Sequence, residues 1–101
     1  MNIKILQCAE AEIAAAMDYY NAQYPGLGYE FAFEVKESID RILSFPTAWP
    51  IFVDSTRKSH IHRFPYGVFY KVHKETIVVF GVMHLMQPPE KWEQRVSEYS
   101  E

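Results

Sequence analysis

"HIHRFPYGVFYKVHKETIVVFGVMH", residues 60–84, decides the fold. Its β-branched and aromatic residues recur with the period of two that belongs to a pleated strand. It reads as three strands, at 60–64, 67–73 and 76–84. Pro65 and Tyr66 break the first from the second, and Lys74-Glu75 forms a tight hairpin connection. The run "IVVF" (77–80) is apolar on both sides, as in the centre of a sheet. Consecutive strands with short connections imply an antiparallel meander.

Upstream, "IFV" (51–53) reads as a short strand, and the polar "DSTRKS" (54–59) as a soluble loop. Before Pro46 the period changes. Residues 9–24 and 29–45 read as two helices. Ile13, Met17, Tyr20 and Tyr24 stripe the first; Phe31, Val35, Ile39 and Ile42, with Leu43 beside them, stripe the second. "PGLG" (25–28) separates them, so they form a helical hairpin with each covering the other's stripe. "NIKILQ" near the N-terminus reads as a further strand, with Ile3 and Ile5 on one side and Lys4 and Leu6 on the other. Residues 90–99 read as a last short helix after Pro88 and Pro89.

The order predicts an α+β fold: an antiparallel β-sheet with an N-terminal strand, an α-helical hairpin packed on one face, and a short C-terminal helix. A chain of 101 residues buries one modest core, so residues 1–101 are expected to form one domain. An apolar fraction of 49% argues against disorder. The lone cysteine, Cys8, excludes an intramolecular disulfide, fits a reducing cytoplasmic location, and is read as the end of a buried strand. No stretch approaches the roughly 18 apolar residues of a membrane helix, and the N-terminus lacks a signal-peptide pattern.

The net charge of −3 excludes general electrostatic binding of nucleic acid. The charge is segregated, however. Residues 9–45 carry seven acids and two bases, while residues 46–87 carry five bases, two acids and all four histidines. The basic half is where an acidic partner or a polyanion would meet the protein.

Alternation places His60, His62 and Phe64 on one side of their strand, opposite Ile61 and Arg63. A metal on these two same-face histidines would need a third and usually a fourth ligand, with His73 or His84 coming near; no motif spacing supports this, and no metal and no cofactor are expected. The sheet face opposite the hairpin is expected to stay partly open, carrying Lys71, His73 and either His60/His62 or Arg63. Such a face can hold RNA through cations and aromatic stacking, and it is equally what a solvated sheet face looks like. No phosphate loop, His-Glu-x-x-His motif or nucleophile elbow is present. Glu10, Glu12, Glu30 and Glu34 read as solvated helix residues, and Trp49 and Trp92 as packing anchors.

Three further features, taken in order, resemble the RelE/ParE toxin superfamily, and within it the ParE-like or "plasmid stabilization protein" branch. They are "DYYNAQYPGLGYEFAFEVKESIDRILSFPTAWP", "RFPYGVFYKV" and "VMHLMQPPEKWEQR". The motif positions are Arg63, Pro65, Tyr66, Tyr70, His84, Trp92 and Arg95. The resemblance implies the toxin of a type II toxin–antitoxin module, neutralised by and oligomeric with a cognate antitoxin. A ParE-like toxin acts on a protein target such as DNA gyrase. The alternative it implies is a RelE-like, metal-independent endoribonuclease acting on mRNA at the ribosome, with His60, His62, Arg63, Lys71, Tyr70 and His84 as its candidates. A third is an inactive homologue that only binds its partner. Gly67 stands where nucleases of the superfamily often place an arginine, and Met86-Gln87 replaces the Arg-Arg common in ParE-like members.

Overall fold

A computed structural model describes residues 1–99. The elements run β1 (Asn2–Ile5), α1 (Gln7–Gln23), α2 (Leu27–Ser44), β2 (Ile51–Val53), β3 (Thr56–His60), β4 (Tyr66–His73), β5 (Thr76–His84) and α3 (Pro89–Tyr99). They form the expected α+β arrangement, with one five-stranded sheet in the order β1-β5-β4-β3-β2. Strands β2 to β5 make the antiparallel meander. β1 lies parallel to β5, with Ile3 opposite Ile77 and Ile5 opposite Val79, so the sheet is mixed at that edge.

The helical hairpin covers one face. Phe31, Val35 and Ile42 of α2 pack with Val68, Tyr70, Ile77, Val79 and Val82 of the sheet, and Tyr20 of α1 joins them. The turn between the helices depends on two glycines. Gly26 takes a left-handed φ of 91°, which a side chain disfavours. Gly28 lies so close to α1 that a Cβ there would stand 2.3 Å from the Met17 carbonyl oxygen. Its N–H donates to Asn21 Oδ1 at 2.8 Å. α2 therefore begins at Leu27, two residues before its expected start. Tyr24, placed in the α1 stripe by spacing, lies past the helix end and is 67% exposed.

The strand before the meander is not where alternation puts it. Residues 56–60, read as loop, are β3, whereas of 60–64 only His60 is in a strand and the rest form a turn. Thr56 and Ser59 point inward as buried hydroxyl residues, and Ser59 shares a hydrogen bond of 3.2 Å with Ser38 of α2. A polar sequence thus hides a strand. In the turn, Ile61 and Phe64 are both buried, a spacing of three that a strand cannot produce. Arg63 adopts a φ of 72°.

The second sheet face is less open than expected. α3 packs across it, and Val96, Trp92 and Tyr99 cover Phe69, Phe80 and Met83. Cys8 sits in the first turn of α1 rather than in a strand, with its Sγ 3.4 Å from the Phe80 carbonyl. No helix among the described residues is long and apolar enough to cross a membrane.

Candidate functional site

The residues a nuclease would need do not converge. Lys71 pairs in register with Thr56, and His60 with Gly67 four residues away, which separates them by roughly 13 Å along β4. Lys71 lies on the α3 face, where its Nζ donates to the Tyr99 carbonyl. Tyr70 points the other way, buried under the hairpin, with its hydroxyl donating to the Pro46 carbonyl at 2.8 Å. Burial pushes that phenol up from its ordinary range.

Arg63 is held against α2. Its Nη2 lies 2.8 Å from Glu30 Oε1 and its Nη1 3.9 Å from Glu34 Oε2. Glu30 and Glu34, read as solvated, are thus its partners. His60 and His62 are exposed, the first at the end of β3 and the second in the turn, so they do not share one strand as alternation predicts, although both line one groove. Among the described residues no three His, Cys, Asp or Glu side chains gather where a metal ion could sit.

His84 closes β5 opposite Tyr66, its ring edge-on at 5.0 Å, and its Nδ1 accepts the Met86 N–H at 3.0 Å. That hydrogen bond leaves Nε2 as the protonated nitrogen of the neutral ring. Pro65 accepts at its carbonyl from the Leu85 N–H, 2.8 Å away. Leu85 in turn reaches over Gly67. A Cβ at Gly67 would come 3.1 Å from Leu85 Cδ2 and 3.2 Å from Lys58 Cγ. A side chain at position 67 would therefore have to displace those two flexible side chains by a few tenths of an ångström.

Trp92 and Arg95, the remaining motif residues, fasten α3. The Trp92 ring packs on Phe69 at 5.6 Å, with the Lys58 Nζ 4.5 Å above it. Arg95 meets Glu12 with both nitrogens, at 3.1 and 3.0 Å, and also donates to the Phe80 carbonyl at 3.1 Å. The hydrogen bonds to Glu12 push the guanidinium higher still. Glu12 was read as a solvated helix residue; only the contact of α1 with β5 and α3 gives it this role.

Three surfaces stand out among the described residues. Tyr24, Tyr29 and Phe33 expose aromatic rings on the outer side of the hairpin, and Ile51 and Phe52 expose apolar surface on the edge strand β2. A groove of about 410 Å³ lies beside the free end of β3, lined by Arg41, Trp49, Pro50, Lys58, Ser59, His60 and His62. Sequence reasoning singled out the histidines; Arg41 joins them only because α2 crosses the sheet there.

No protein-family model matches the chain. No curated protein matches it either. Among solved structures it is similar to a chain of the "Chromosomal ParDE TA system from P. aeruginosa". The two share 18% sequence identity and superpose with a TM-score of 0.76, over 84% of this chain and 96% of that one. The resemblance read from the hairpin and the Arg-Phe-Pro-Tyr strand pair thus meets a structural neighbour of the same kind: the chain has the α+β fold seen in that ParDE system.

Proposed function

We propose that the chain is the toxin of a ParE-like toxin–antitoxin pair and acts by binding a protein rather than by cutting RNA. The observation that carries this reading is the fold likeness to the ParDE structure over most of both chains. The geometry favours binding over RNA cleavage. Tyr70 is committed to the Pro46 carbonyl, Arg63 to Glu30, and Lys71 to the Tyr99 carbonyl. Among the described residues, Tyr70, Arg63 and Lys71 do not gather with His60 and His62 over one phosphate position, as a shared role in cleavage through the 2′-hydroxyl would require. The exposed aromatics of the hairpin, Tyr24, Tyr29 and Phe33, offer an antitoxin a surface on which a disordered segment can fold.

The test is inducible expression with and without the product of an adjacent small reading frame. Growth arrest relieved by that product is the expected result. A supercoiling assay then examines DNA gyrase as the target. Ribosome-dependent mRNA cleavage by the purified protein, abolished by His62→Ala or Arg63→Ala, would overturn the binding mechanism. Absence of any growth effect, with the partner still bound, would leave the chain a partner-binding homologue without toxicity.

A further inference from the structure

The step from β5 to α3 runs through residues 85–88 and is fastened at His84. The Met86 N–H donates to the His84 Nδ1 at 3.0 Å, and the Gln87 N–H donates to the His84 carbonyl at 3.3 Å. The first of these bonds exists only while Nδ1 keeps its lone pair. A proton on Nδ1 turns that acceptor into a donor facing another donor. Met86 is 81% exposed, so burial does little to hold it in place.

The same ring lines a cavity of about 260 Å³ between α1 and the ends of β4 and β5. The titratable groups around it are Glu12 and Tyr19 from α1 and Tyr66 from β4. Among the described residues no lysine or arginine lines this cavity, and Glu12 is its one carboxylate. Glu12 is also the residue that fastens α3, since it accepts from both Arg95 nitrogens and from the Val82 N–H. Lys91 and Glu98 of α3 stand with Arg95 around the adjoining cavity, which Glu12 shares. An imidazolium at position 84 is thus drawn toward Glu12, where it competes with Arg95 and repels it. The Tyr66 ring, 5.0 Å away, attracts a cation as well.

We propose that His84 is a proton-sensitive fastening of the C-terminal helix. When neutral, its ring accepts the Met86 N–H and leaves Glu12 to Arg95. When protonated, it releases Met86 and turns into the cavity toward Glu12 and Tyr66. One proton therefore loosens two attachments of α3, the connection that leads into it and the ion pair that clamps it. Because α3 covers Phe69, Phe80 and Met83, its loosening in mild acid uncovers apolar sheet surface. The device depends on how α3 is held and not on what the chain binds, so it stands apart from the toxin reading.

The experiment is NMR on the nitrogen-labelled full chain, taken from roughly pH 8 to 5, the range in which histidines change charge. At the upper end the His84 ring should carry its proton on Nε2. As the ring protonates, the Met86 amide should shift along the same curve. Hydrogen-exchange protection in α3, corrected for the intrinsic rate, should fall about two- to tenfold relative to α2. His84→Asn keeps a side-chain acceptor for the Met86 N–H but takes up no proton. Its Met86 amide and α3 protection should stay flat across the range, while His60, His62 and His73 still titrate. An unchanged thermal melt at the upper pH shows that this variant is folded. A neutral His84 ring with its proton on Nδ1 would overturn the proposal. So would a Met86 amide that ignores the His84 titration, α3 protection that stays level with that of α2, or the same pH response in His84→Asn.

Discussion

Glu12 and Arg95, 83 residues apart, close α1 and α3 onto the same point of β5. The two Arg95 nitrogens meet the two Glu12 oxygens at 3.1 and 3.0 Å, and Glu12 Oε1 also accepts the Val82 N–H at 3.0 Å. Two-pronged pairing of this kind fixes orientation as well as charge. With about a quarter of each side chain exposed, it stands between a surface pair and a buried one. Glu12→Ala should therefore cost about 1–3 kcal/mol, because it strands both the guanidinium and a backbone N–H. Urea denaturation measures the loss. Faster hydrogen exchange in α3 than in α2 would place it at the C-terminal helix, and uniform exchange would count against that.

The Ser38–Ser59 hydrogen bond joins α2 to β3 in a fully buried position. Ser38→Ala leaves the Ser59 hydroxyl without a partner and should cost about 1–3 kcal/mol. The double variant, with alanine at both positions, should cost less than the sum of the two single changes. A double-mutant cycle in denaturant decides it, and strict additivity would mean that the bond contributes nothing specific.

Gly28→Ala should be among the most damaging single-methyl changes in the chain. The added carbon would meet the Met17 carbonyl at 2.3 Å, and a backbone atom cannot swing aside. At least about 2 kcal/mol of destabilisation is expected, through separation of the two helices. Gly26→Ala meets no neighbour within 4 Å, so its cost should be confined to the left-handed backbone, roughly 1 kcal/mol. Thermal melts of the two variants should rank in that order.

Stability should fall in alkali. Burial raises the phenols of Tyr20, Tyr66 and Tyr70 above their ordinary value of 10.0, with nearby Tyr19 adding to the first two. A group whose pKa is raised in the folded state stabilises fully below its unfolded value and loses that contribution as pH rises through the folded one. The loss should thus begin near pH 10 and continue above it. Tyr66→Phe should flatten part of this dependence in denaturation curves taken across that range, and an unchanged slope would show that Tyr66 does not contribute.

Periodicity and turn residues by themselves determined the strand–hairpin–meander–helix order. They placed the α2 stripe, the central strand at 77–80 and the Pro-Gly turn, because each of these is set by neighbours within a few residues in sequence. β3 was illegible for a physical reason. Its inward side chains, Thr56 and Ser59, are small hydroxyls satisfied by burial and by a partner on α2, so hydropathy marks them as loop. "HIHRF" had the opposite fault: a two-residue alternation that Pro65 and the left-handed Arg63 convert into a turn. The candidate residues were legible one by one, but their grouping was not. Whether His60, Lys71 and Tyr70 share a face depends on strand register and on where α3 lies. The Glu12–Arg95 latch and the Arg41–His62 groove depend on helices crossing a sheet dozens of residues away, and only the tertiary structure decides those distances.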